Sequence, residues 1–372
     1  ISDIKVLEKV KFEKLEKLIL SGNKLSDINI LEKVNFKELK ELNLYNISLP
    51  DIKVLEKVKF EKLEKLIFSG NNLSDINILE KVNFKELKEL NLSFNIISDI
   101  KVLEKVKFEK LEKLNLSENK LSDINILEKV NFKELKELNL SNSNISDIKV
   151  FGKVKFEKLE NLDLSVNKEL SDINILEKAN FKELKELNIS NSNISDIKVL
   201  EKVKFKKLEK LVLNGNKLSD INILEKMDFK ELKDLNLSYN ILSDIKVLEK
   251  VKFKKLEKLI LSGNKLSDIN ILNQVNFKEL KELNLSNTSI SDIKVLEKVK
   301  FEKLEKLNLS WNILSDLNIF EKVNFKELKE LNLSFNIISD KKKLLEKVKF
   351  EKLEKLDLIG NRKLSDNSIH LL

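Results

Sequence analysis

A Ser-Asp dipeptide, or a close variant of it, returns every 24 residues along this chain, and that period constrains the fold more than any other feature. Asp stands at 3, 27, 51, 75, 99, 123 and 147, and again at 172, 196, 220, 244, 268, 292, 316, 340 and 366. A unit this short cannot bury its own apolar face, so it must stack on its neighbours to build a continuous core. The period slips in three places. Glu169 is a one-residue insertion in the loop Asn167-Lys168-Glu169-Leu170, Lys341-Lys342-Lys343 is irregular, and an extra loop residue lies near Arg362-Lys363. All three fall where the chain leaves one element for the next, where insertions cost least.

Within a unit the apolar residues have a fixed order. In the first they are Leu15, Leu18, Leu20 and Leu25, with Asn23 between the last two. Leu18 and Leu20 alternate with Lys17, Ile19 and Ser21, which predicts a short strand. Leu42 and Leu44 repeat the alternation one unit later, so stacked units make a parallel sheet. After Asp3 come Ile4, Val6, Leu7 and Val10, a spacing that predicts a short amphipathic helix, with Asp accepting hydrogen bonds from its first amides. Phe12 follows and recurs in every unit to Phe350, predicting a buried Phe spine. The Asn position holds Asn23, Asn71, Asn95, Asn119, Asn167, Asn216, Asn240, Asn264, Asn312, Asn336 and Asn361. A buried Asn amide there can satisfy backbone groups of its own loop and the neighbouring one. Ser143, Ser192 and Thr288 can do part of that work, and Ile47 can do none. Because Ile47 shares its unit with the only proline, Pro50, a distorted loop is expected over 45–51.

The motif L-x-x-L-x-L-x-x-N-x-L resembles the leucine-rich-repeat family, and the resemblance covers the whole chain in about fifteen repeats. The Ile-Ser-Asp-Ile wording after the Asn is most similar to internalin-like and phosphatase-regulator-type repeats. The family implies an α/β solenoid, with a parallel sheet on a concave face and short helices on a convex face. It also implies a non-enzymatic scaffold that binds protein partners. A single domain over 1–372 is expected, with no evident caps at either end.

A second period of 48 residues lies inside the first. Odd repeats mostly read F-E-K-L-E-K-L and even ones F-K-E-L-K-E-L, so one strand column runs Lys17, Glu41, Lys65, Glu89, Lys113, Glu137. The adjacent column, Glu16, Lys40, Glu64, Lys88, runs in opposite phase. Stacked at about 4.8 Å, like charges would repel and alternating ones attract. Asn161 breaks the first column. Most of the 35% charged residues therefore have a structural explanation, and the net charge of +8 is interleaved with Arg362 as the sole Arg, which argues against nucleic acid. Lys206, Lys207, Lys254 and Lys255 are the one weak basic recurrence.

With no Cys and a single His, His370, thiolate and His-rich metal sites are excluded, and no nucleophile–base pair or phosphate loop appears. No cofactor is expected. No apolar run approaches the ~20 residues of a membrane span. The chain begins inside a repeat, so the true N-terminus is expected to lie upstream, and both a cytoplasmic and a bacterial-surface location remain open.

Function is sought where the repeats differ. The position before the ladder Asn varies most, and its aromatics travel with an Ile two residues on: Phe94 with Ile96, Tyr239 with Ile241, Trp311 with Ile313, Phe335 with Ile337. Aromatics clustered at a rim are interface anchors or simply covers for their own loops. The sheet column that includes Asn43, Asn91, Asn115 and Asn139 either faces a partner or forms a structural ladder in which stacked amides bond one another. The leading expectation is a scaffold binding protein through the concave face or the loop rim. The alternative is a structural protein that self-associates end to end through uncapped ends.

Overall fold

The computed structural model of the protein describes residues 4–361, apart from residues 11, 26–27, 50, 316–317 and 339–349. Pro50 and the irregular stretches at 341–343 and 362–363 lie outside the described residues. The chain divides into two compact blocks. One comprises Ile1–Asn193 with Val203–Phe205, and the other Ile194–Lys202 with Lys206–Leu372.

Each block is an open leucine-rich-repeat solenoid. The first carries eight three-residue strands, from Lys17–Ile19 to Glu186–Asn188, and the second carries seven, from Lys210–Val212 to Lys355–Asp357. Within each block consecutive strands pair in parallel, Leu on Leu: Leu18 with Leu42, Leu42 with Leu66, Leu235 with Leu259, Leu307 with Leu331. The register advances by 24 residues except where Asn161 meets Glu186 and Glu330 meets Lys355. The first exception absorbs Glu169. Lys168 and Glu169 are exposed in a turn closed by Leu170 N–H on Asn167 O at 2.9 Å, while Asn167 and Leu170 keep their buried places.

The core follows from the alternation. Leu42, Leu66, Leu90 and Leu114 point inward and are buried, as are Leu44, Leu92 and Leu116 two residues on. Each contributes about 1.5–3 kcal/mol by leaving water. The Phe column is buried from Phe36 to Phe325, and neighbouring rings stack where the geometry allows, with Phe36 and Phe60 centred 6.5 Å apart. Phe12, with no described repeat beneath it, is exposed.

Opposite the sheet, the helical segments are tighter than the spacing predicts. They are 3-10 turns of four or five residues, such as Lys53–Glu56 and Asn222–Lys226. Bonds run from Leu55 N–H to Ile52 O and from Lys57 N–H to Val54 O. Only Val54 and Leu55 of the first turn are buried, and no helical turn follows Lys57, so the segment stops at the tighter single-turn form. The repeated Asp stands just before the turn and holds one amide. Asp75 Oδ1 accepts Asn77 N–H at 2.8 Å, and Asp99 Oδ1 accepts Lys101 N–H at 2.8 Å.

Candidate functional site: loop rim and sheet face

The ladder Asn fixes the loop that leaves each strand. Asn95 Nδ2 donates to Phe68 O of the repeat before and to Leu92 O of its own, at 3.1 and 2.9 Å. Its Oδ1 accepts the N–H groups of Asn71 and Leu73. With Ser93 O also within reach of Nδ2 at 3.1 Å, one buried amide pairs five backbone groups across two repeats. Asn119, Asn240, Asn264, Asn312 and Asn336 donate in the same way. Ile47 supplies no amide, yet it is fully buried, because Asn23 reaches Leu20 O and Asn71 reaches Leu44 O on either side of it. Its loop bends through left-handed backbone at Asn46 (φ 51°) and Ser48 (φ 60°). Thr288 Oγ1 replaces one of the missing donors, bonding Leu285 O at 2.7 Å.

The position before the ladder residue is left-handed in most repeats. Gly occupies it at 22, 70, 215, 263 and 360, with φ between 66° and 73°. Phe94, Tyr239, Trp311 and Phe335 occupy the same place with φ of 53°, 51°, 56° and 53°. For a residue with a β-carbon this costs about 1–2 kcal/mol. The strain could have been read in the sequence, because a column that alternates Gly with Asn46, Asn142, Asn191 and Asn287 marks a left-handed site.

All eight residues of the aromatic–Ile pairs are exposed, with Trp311 at 59%, Phe335 at 40%, Tyr239 at 62% and Phe94 at 59%. The structure brings one pair of anchors together. The rings of Trp311 and Phe335 stack with centroids 4.2 Å apart and planes 15° apart. Phe335 in turn lies over Gly360, where a β-carbon would come within 2.5 Å of its Cδ1, and Tyr239 lies over Gly263 in the same way. Among the described residues, Tyr239 and Phe94 have no aromatic ring stacked on them.

The sheet-face Asn side chains do not bond one another as a ladder. Asn91 Oδ1 instead accepts both the N–H and the Oγ–H of Ser93, at 3.0 and 2.7 Å. Asn115 with Ser117, Asn236 with Ser238, Asn308 with Ser310 and Asn332 with Ser334 repeat it. The Ser two residues on captures the carbonyl, which turns the Nδ2 group outward. Asn188 alone donates across strands, to Asp163 Oδ2 at 3.2 Å, among the described residues.

The charges beside this face are paired. Lys17 meets Glu41, Lys65 meets Glu89 and Lys306 meets Glu330, while Lys40 meets Glu16 and Lys329 meets Glu305. The Lys329 ammonium holds the Glu305 carboxyl below its ordinary 4.5, and the Glu330 carboxylate holds Lys306 above 10.5. Lys255 of the basic recurrence pairs with Glu231. Among the described residues no cluster of His, Cys, Asp or Glu is placed to hold a metal, and no helix is long and apolar enough to cross a membrane.

Family and structural comparisons agree with this geometry. The model of paired leucine-rich repeats matches residues 61–105, 182–226 and 254–298. An internalin of Listeria monocytogenes is similar in structure at 28% identity and TM-score 0.61, over 81% of this chain and 88% of that one. A leucine-rich-repeat protein of Leptospira interrogans is similar at 25% identity and TM-score 0.70, over 95% and 98%. These matches support a leucine-rich-repeat family with an internalin-like pattern. An Arabidopsis receptor kinase, solved with a peptide hormone and a co-receptor, shares the leucine-rich-repeat fold at 22% identity and TM-score 0.54, over 97% and 64%. Comparison with curated protein sequences gives no match.

Proposed function

We propose that this leucine-rich-repeat chain is a non-catalytic binding scaffold that engages a protein partner through its rim aromatics. Trp311 and Phe335 are the central anchors, flanked by Ile313 and Ile337. Tyr239 with Ile241 and Phe94 with Ile96 are outlying contacts.

One observation carries this reading. Bulky aromatic side chains are held exposed at a left-handed position where the same chain uses Gly elsewhere. Covering a loop does not require that strain, since the repeat with Gly22 closes its loop with nothing packed over the glycine. Strained backbone that the scaffold over-determines is a mark of a working site. A stacked Trp–Phe pair also presents a large, rigid apolar surface at low entropic cost, which is what a hot spot needs.

The test compares the wild type with Trp311→Ala plus Phe335→Ala as immobilised bait for protein capture. The double variant is expected to lose the captured partner while keeping its far-ultraviolet circular dichroism. Equal recovery on both baits removes the rim from the binding surface.

A further inference from the structure

The outward amides and the rim aromatics lie in the same repeats. In the second block Asn284, Asn308 and Asn332 stand on three consecutive strands, paired in register. Their Oδ1 atoms are held by the N–H groups of Ser286, Ser310 and Ser334. The three Nδ2 groups have no protein acceptor among the described residues and line a shallow groove on the sheet face. Three residues beyond Asn308 and Asn332, on the same turns of chain, stand Trp311 and Phe335. The result is a row of hydrogen-bond donors, one per strand, with the exposed aromatic pair on the loops that leave those strands, beyond the residues that line the groove.

The groove's charge is balanced. Lys306 pairs with Glu330, and Glu282 pairs with Lys258 at 3.1 Å, which leaves Lys355 and Asp357, of opposite sign, at its end. A strongly acidic or basic ligand has nothing to meet there. An uncharged one rich in acceptors does.

Spacing selects among uncharged chains. The donors recur at about 4.8 Å, so every second one recurs at about 9.6 Å. An extended β-peptide laid along the stack turns equivalent carbonyls to one side every ~6.7 Å and falls out of step at once. A polyproline II chain has three residues per turn and a rise of 3.1 Å, so it turns equivalent carbonyls to one side every ~9.3 Å. That matches two strands within ~0.3 Å. Its carbonyls have no internal partners, and its rings pack on aromatic side chains.

We propose that the groove over Asn284, Asn308 and Asn332, together with Trp311 and Phe335 beyond it, binds an uncharged proline-rich segment of a protein partner in the polyproline II conformation. Asn284 and Asn332 donate to carbonyls one turn apart, and the pyrrolidine rings rest against the aromatic pair. This rests on the rim-binding reading above and adds the chemical class of the partner.

The experiment uses the full chain and a capped decaproline peptide, with a Gly-Ser peptide of equal length as control. Trp311 is the only Trp, so its emission reports a ligand that rests against the aromatic pair. Decaproline is expected to give a saturable change and the Gly-Ser peptide none. Asn284→Asp and Asn332→Asp keep the acceptor for the Ser and remove the donor. The fold already carries Asp there, since Asp163 Oδ1 accepts Ser165 N–H and Asp357 Oδ1 accepts Ile359 N–H. Each substitution is expected to weaken decaproline at least threefold, and the two together about tenfold. No saturable response to decaproline, an equal response to the Gly-Ser peptide, or unchanged affinity in both Asp variants overturns the proposal. If decaproline fails while Trp311→Ala plus Phe335→Ala still abolishes protein capture, the polyproline class falls and the rim reading stands.

Discussion

At an ordinary exposed position Ala is more stable than Gly, and at residue 311 we expect the reverse. Trp311 has φ 56°, against 66–73° for the five Gly at equivalent positions. Trp311→Ala keeps the left-handed strain of about 1–2 kcal/mol. Trp311→Gly removes it, at a cost of about 0.4–1 kcal/mol in unfolded-chain entropy. With midpoints of about 1.5 and 0.7, the Gly variant should be the more stable by about 0.8 kcal/mol. Both variants lose the stack on Phe335, worth about 0.5–1.5 kcal/mol, so that term cancels in the comparison. Against the wild type, strain relief and lost stacking nearly offset in the Gly variant, and its stability should stay within about 1 kcal/mol. The assay is urea unfolding followed by far-ultraviolet circular dichroism, comparing midpoints at constant slope. An Ala variant as stable as the Gly variant would refute the claim that residue 311 is strained.

Three further outcomes follow from the same geometry. Gly263→Ala should destabilise by at least 1 kcal/mol, because it adds a β-carbon at φ 69° and 2.5 Å from Tyr239 Cδ1. In a Tyr239→Gly background the loss should shrink, and a double-mutant cycle by urea unfolding measures the coupling. Glu112→Lys places a third Lys between Lys88 and Lys136, in a column where Glu112 now pairs with Lys136 at 2.8 Å. It should destabilise by a few tenths of a kcal/mol in dilute buffer, and the difference should fade near 1 M salt. The pH dependence has a definite sign. Glu16 and Glu305 lie below their ordinary 4.5, through hydrogen bonds from Lys40 and Lys329, so their contribution is present above that value and lost as pH falls through the lowered ones. Lys40, Lys88 and Lys281 lie above 10.5, through bonds to Glu16, Glu64 and Glu257, so theirs is lost only as pH rises beyond that. Thermal midpoints should be flat between about pH 5 and 10 and fall on both sides.

The repeat, its strands, the Phe column and the alternating charges are all legible in the sequence because each is a one-dimensional pattern. Leu18 and Leu20 declare a strand, and Lys17 over Glu41 declares a pair. What escaped is set by backbone and amide orientation. The Ile4–Val10 spacing suits an α-helix, but with one turn of apolar surface to bury, the chain takes the tighter 3-10 form. The sheet-face Asn residues suggest amides bonded up the stack. The competing partner, a Ser two residues on, just past the strand's end, wins because its N–H and Oγ–H both reach Oδ1 at no cost in register. The left-handed rim was visible in its Gly and Asn, yet the aromatics at the same column concealed it.

The 48-residue period also explains why so little of the surface is left uncommitted. In each odd–even pair of repeats two strand columns act together, as Lys65 with Glu89 and Glu64 with Lys88. The next junction, from even to odd, is bridged by a third column, as Glu86 with Lys110 and Glu279 with Lys303. Across the opposite face, Glu32 with Lys57, Glu56 with Lys81 and Glu80 with Lys105 bridge successive junctions without alternating. Each exposed pair is worth little alone, but together they give the long charged side chains intramolecular partners and so withdraw them from recognition. A ligand approaching the sheet therefore meets neutralised columns. The groups it can gain most from are those the ladder cannot use: amide donors whose carbonyls are taken, and aromatic rings held where the backbone would rather have glycine.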